Sequence, residues 1–199
     1  MIEYCFPIWY YNMAYQIHYY GGNSTKSREA VSLDNRREET HMFYTRLYDL
    51  LPEIAVAETR TITLIEPFNT LPVGDYGLVE MYCNEIGCDC RRVFLYVITP
   101  DSKDPLAVIA YGWESLGFYA RWYYMSDNLD DLSVDDLEDL ARIKGPCLND
   151  LSPRSKYAPD VLKLVTEFVL SDTKYVDRLK RHYKLFKKEL ERKNKENAR

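Results

Sequence analysis

Between Thr59 and Tyr111 the apolar positions keep the rhythm of β-structure. From Arg91 to Thr99, Val93, Leu95 and Val97 fall on one side of a period of two and Phe94, Tyr96 and Ile98 on the other. A short continuous apolar run of this kind marks a strand, and apolar residues on both sides predict a central strand covered on both faces. Thr59 to Glu66 is rich in β-branched residues and is closed by Pro67; Tyr76 to Cys83 follows the turn-like Leu71-Pro72-Val73-Gly74; Pro100 to Asp104 turns into Leu106 to Tyr111. Connections this short predict antiparallel neighbours, because a parallel pair needs a crossover of a dozen or more residues.

Helical spacing flanks this block. Phe43, Leu47 and Leu50, widened by Tyr44 and Leu51, predict a helix over 35–51 that Pro52 stops. Phe118, Trp122 and Met125 share a helix face in an otherwise ambiguous stretch from Gly112 to Ser126. Ser133 followed by Asp136 forms a capping pattern, with Leu132 and Leu137 at the hydrophobic-staple positions, and this helix ends at Gly145-Pro146. Pro159 opens another helix, with Leu162, Val165, Phe168 and Val169 as its apolar stripe. From Ser171 or Asp172 a last helix carries Val176, Leu179, Tyr183, Phe186 and Leu190 in steps of three and four, a seam of about two heptads.

These elements predict an α+β fold: a central antiparallel sheet of about four strands with N-terminal and C-terminal helices packed on it. The expected organisation is one domain over 1–199. It comprises an aromatic N-terminal segment (1–24), a helix (35–51), a sheet with a cysteine hairpin (59–111), a helical region (133–171) and a basic terminal helix (172–199). The opening segment has eight aromatic rings in its first 20 residues and no charge from Tyr4 to Tyr20. It lacks the basic start of a signal peptide and contains Pro7, Asn12, Gln16 and His18, so membrane insertion is not expected.

Composition refines this picture without naming a reaction. With 46% hydrophobic and 29% charged residues, the chain belongs with ordinary globular proteins and not with collagen-like or disordered ones. The net charge of −5 hides an asymmetry: Lys174 to Arg199 holds eleven basic and four acidic residues. The tail therefore attracts polyanions while the acidic remainder repels them.

Candidate chemistry lies in the cysteines. There are five, an odd number, and Cys83, Cys88 and Cys90 fall within eight residues. That spacing suits a ligand cluster better than a disulfide framework, which predicts a reducing, cytoplasmic setting. Cys83 ends one expected strand and Cys88 and Cys90 precede the next, so a hairpin would bring three thiols to its tip, with Gly87 easing the turn. Thiolates suit a borderline-soft ion, and zinc is the expected cofactor. Cys147 is the leading sulfur for a fourth position, with His41, Cys5, Asp89, Glu80 or water as alternatives. Three free buried thiols, or redox or nucleophilic use, remain the competing readings.

Other constellations are weaker. Glu66, Glu80 and Glu114 lie near strand ends but have no spacing that pairs them for acid and base work. Glu80 stands out by its place in a strand near Cys83, from which it would orient a ligand or pair with Arg91 or Arg92. His41 and His182 fall on expected helices and His18 in the aromatic segment, all read as packed or solvated side chains. The acidic run from Asp127 to Asp139 has leucine where a calcium loop needs oxygen and glycine, at Leu129 and Leu132. No phosphate-binding glycine loop, HExxH or GxSxG motif occurs.

The run LPVGDYGLVEMYCNEIGCDCRRV, from Leu71 to Val93, resembles the central segment of an uncharacterised prokaryotic protein family. Gly74, Tyr76, Glu80, Tyr82, Cys83, Cys88, Asp89, Cys90, Arg91, Arg92 and Val93 carry the likeness. A more diffuse similarity runs through Tyr111-Gly112-Trp113-Glu114, Gly145-Pro146 and Ser155-Lys156-Tyr157-Ala158, within residues 59–190. The resemblance implies a definite site at the cysteines and transfers no activity; the aromatic N-terminus lies outside it.

The resulting expectation is a metal-stabilised soluble protein that acts as a macromolecular interaction module, with another protein or a second copy of the chain as partner. The alternatives are a nucleic-acid-associated protein using the basic terminal helix, and a metalloenzyme with an open coordination position.

Overall fold

The computed structural model describes residues 44–152 and 154–198. The aromatic segment 1–24, and with it Cys5, His18 and His41, lies outside these residues. The chain begins with β1 (Tyr44–Arg46), a single helical turn α1 (Leu47–Leu50) and α2 (Pro52–Glu58). The helix expected over 35–51 is therefore not continuous where it is described. Leu51 precedes a proline, which disfavours helical backbone, and its φ of −135° breaks the chain there. Pro52 then opens a helix instead of ending one, at a position where its missing N–H is harmless.

Next come β2 (Thr61–Leu64), β3 (Gly74–Cys83), β4 (Arg92–Ile98) and β5 (Ala107–Gly112), all paired antiparallel as their short connections require. The sheet has six strands, not about four. The additional two are β1, which pairs Tyr44 with Cys83, and β6 (Cys147–Leu148), which pairs Cys147 with Ala110. Strands of three and two residues are too short to show a period in sequence.

One face of the sheet carries the core. Leu78, Tyr82, Val93, Leu95, Val97 and Ile109 are buried there against Val161, Leu164 and Val165 of α5 (Ala158–Phe168) and Leu179, Tyr183 and Phe186 of α6 (Thr173–Asn197). The opposite face of β4 is less enclosed than its apolar pattern predicts: Phe94 and Tyr96 are half-buried, and Val79 and Ile98 form a small cluster with Tyr96. The stripe of α5 is also rotated from its expected position. Ala158, Val161, Leu164 and Val165 face inward, while Phe168 is half exposed and meets Phe68 edge-on at 5.7 Å.

Between β5 and β6, α3 (Leu116–Tyr119) continues into one π-helical turn, Ala120–Tyr124. Met125 ends it with φ +56° and is 90% exposed, so it leaves the face that Phe118 and Trp122 share. The α4 helix (Val134–Lys144) has the reciprocal Ser133–Asp136 capping box, and Leu132 and Leu137 sit in the same apolar cluster. At the start of α6 the Asp172 carboxylate accepts from the Lys174 N–H and pairs with buried Arg60 at 2.8 Å. That bond ties the terminal helix to the segment entering β2. No described helix is long and apolar enough to cross a membrane.

Candidate metal centre

The β3–β4 pairing brings the three thiols together. Cys83 closes β3; a turn follows in which the Cys88 N–H reaches the Glu85 carbonyl at 3.4 Å and Gly87 takes φ +81°. Arg91, at φ +46°, turns the chain again before Arg92 begins β4. A left-handed arginine is strained, and its surroundings hold it there. The Tyr119 hydroxyl donates to its carbonyl at 2.9 Å; its guanidinium donates to Asp89 at 2.8–3.0 Å and to Glu114 at 3.3 Å, and it lies over the Phe118 ring.

The sulfur atoms of Cys83, Cys88 and Cys90 all lie within 4.8 Å of one another. Around a tetrahedral zinc with Zn–S near 2.3 Å, sulfurs stand about 3.8 Å apart, so closure needs shifts of about 1 Å or less. Cys83 and Cys90 are 4% and 1% exposed and Cys88 is half-buried. Their protonation is linked. A hydrogen bond from the Cys90 thiol, the largest influence, brings Cys83 down to about 6, with Lys187 and the Cys88 thiol acting in the same direction. Cys90 is pushed far up because it is the donor, and Cys88 is raised by burial and then by the Cys83 charge. This cluster could hold a metal ion.

Several neighbours frame the thiols. Tyr44 pairs with Cys83 across the sheet, and its hydroxyl is held up by burial and then by Cys90. Lys187 donates to the Glu85 carbonyl at 2.9 Å, while Tyr183 lies within 3.4 Å of the Cys88 carbonyl and the Asp89 carboxylate. The terminal helix therefore grips the loop that carries the cysteines. Sequence reasoning missed this contact: the heptad seam marked Tyr183 as packing but could not name its neighbour.

The other anticipated roles fall differently. The Cys147 sulfur donates to the Arg142 carbonyl at 3.1 Å on β6 and is not part of the cluster. Asp89 is engaged with Arg91. Glu80 pairs with neither Arg91 nor Arg92: it accepts from the Tyr82 hydroxyl at 2.7 Å and faces His182 Nδ1 at 2.7 Å, buried between β3 and α6. Glu66, Glu80 and Glu114 are not brought together; Glu66 is exposed and Glu114 serves Arg91.

Comparison with protein-family models, curated proteins and solved structures finds no match. The chemistry of this centre therefore rests on its own geometry. Three convergent sulfurs on a hairpin suit a soft cation, and the Lys187 ammonium contributes only by favouring the Cys83 thiolate. General-base activation of a thiol is not what the described histidine is placed for. His182 has one ring nitrogen on Glu80 and the other 3.3 Å from Glu58.

Proposed function

We propose that this protein is a zinc-stabilised interaction module, with the ion held by Cys83, Cys88 and Cys90 and fixing the hairpin tip against the terminal helix. The single observation that carries the reading is the convergence of the three sulfurs within 4.8 Å. A macromolecular partner, either another protein or a second copy of the chain, suits a site whose ionisable neighbours already have structural duties. His182 is engaged with Glu80 and Glu58, and Asp89 and Glu114 with Arg91. Reduced thiols suit a cytoplasmic setting.

Nucleic-acid binding through the terminal helix ranks below this reading because four of its basic side chains already have acidic partners. Arg178 and Arg181 lie on Glu58, Lys180 on Asp177, and Arg192 on Glu189 and Glu196. Phosphate contacts would compete with these pairs.

Elemental analysis of anaerobically purified protein tests the proposal. About one zinc per chain is expected, with Cys88→Ser losing most of it and melting at a lower temperature, since structural metal binding adds folding free energy. Metal-free wild-type protein with undiminished thermal stability would overturn the structural role.

A further inference from the structure

The three thiols are not equivalent towards solvent. Cys90 is 1% exposed and Cys83 is 4% exposed, whereas Cys88 is half-buried on a turn whose Glu85, Ile86 and Gly87 are exposed. The Cys83 sulfur lies within 4.8 Å of the Cys88 sulfur, so the sulfur that a reagent meets first has a second sulfur close by. We infer that Cys88 and Cys83 form a peroxide-sensitive pair whose oxidation to a disulfide expels the metal. This rests on the metal-binding reading and adds a regulation to the same site.

The oxidant is hydrogen peroxide. In the metal-loaded protein a bound ion would hold Cys88 as a thiolate, although burial raises its free thiol. That thiolate attacks one peroxide oxygen, the O–O bond breaks, and the leaving hydroxide takes a proton from solvent to become water. Cys88 is then a sulfenic acid. The Cys83 thiolate attacks the Cys88 sulfur, the S–O bond breaks, and a second hydroxide leaves and is protonated to water. In sum, two thiolates lose two electrons to form one S–S bond, and one hydrogen peroxide with two protons becomes two waters.

The local chain favours this pair. Cys83 and Cys88 bracket a single exposed turn in which Gly87 already occupies the left-handed region, so the sulfurs can close without moving a core strand. Cys90 is tied to the strained Arg91, which Tyr119, Asp89 and Glu114 hold in place. Once the bond forms, two of the three sulfur donors carry no negative charge. Cys90 alone is too few ligands for zinc.

The test uses the full reduced chain loaded with one equivalent of zinc and titrated with hydrogen peroxide. Released zinc is read by a colorimetric chelator, and disulfides are mapped by mass spectrometry after cleavage at Glu85 and at Asp89, which places Cys83, Cys88 and Cys90 on separate peptides. One zinc released per peroxide consumed, a Cys83–Cys88 crosslink, and re-uptake after thiol reduction are expected; Cys147→Ser should behave like the wild type. Zinc that stays bound through the titration, or a crosslink that consistently involves another cysteine, overturns the inference while leaving the metal site intact. Reduced protein that takes up no zinc overturns the metal reading itself, and expulsion falls with it.

Discussion

The Nδ1 atom of His182 lies 2.7 Å from Oε2 of Glu80, and both side chains are closed to solvent. They are 102 residues apart and join β3 to the terminal helix at its middle. The Tyr82 hydroxyl shares the same carboxylate oxygen and Glu58 meets the other ring nitrogen, so these four residues form a polar network between β3, α2 and the terminal helix. A buried network of this kind is sensitive to losing one member, because the partner left behind is desolvated and unpaired.

A double-mutant cycle measures that dependence. Glu80→Leu and His182→Leu should each lower unfolding free energy by about 3 kcal/mol in urea titrations, whereas the double variant should lose clearly less than the sum. Additive losses would show that the pair contributes no coupling.

Arg91 offers a backbone test. Glycine accepts its φ of +46° without strain and alanine does not, while both substitutions remove the bonds to Asp89 and Glu114 equally. Arg91→Gly should therefore be more stable than Arg91→Ala by about 1 kcal/mol. It should also retain more zinc, since the left-handed turn delivers Cys90 to the cluster. Equal stability of the two variants would mean that the loop relaxes elsewhere.

The thiol cluster should show its linkage spectroscopically. In metal-free reduced protein the thiolate ultraviolet band should gain its first step as pH rises through about 6, where Cys83 ionises. Cys90→Ala removes the main donor and should move that step upward. The folded value lies below the unfolded one, about 8.5, so the stability linked to Cys83 is fully present above the unfolded value and is lost as pH falls through the folded one. A metal-free wild type with no thiolate signal below pH 8 would contradict this ordering.

What the sequence disclosed follows the length over which a pattern repeats. Strand β4 shows three apolar residues on each side of its alternation, and β3 and β5 were legible from their apolar content and bounding turns; β1 and β6 offered three and two residues. The cysteine cluster was legible because a hairpin brings Cys83, Cys88 and Cys90 together through local chain alone. Cys147 shared their chemistry but not their place, which β6 fixes beside Ala110. Glu80 was recognisable as unusual in a strand, yet its partner came from the far end of the chain. The heptad seam placed Leu179, Tyr183 and Phe186 on the buried face of α6; His182 lies beside that seam, and no periodicity says which carboxylate a helix will meet.

The short bordering strands also govern how this sheet meets other chains. Along one side, the outer edge of β3 is covered by β1 and β2, three and four residues long; the other side ends in β6, with two. Among the described residues, a foreign strand arriving sideways would therefore find no long border to copy. Exposed backbone edges recruit such strands and seed fibrillar growth, and very short ones blunt that templating. Substitutions that lengthen or straighten β2 would thus threaten solubility before they alter the folded core.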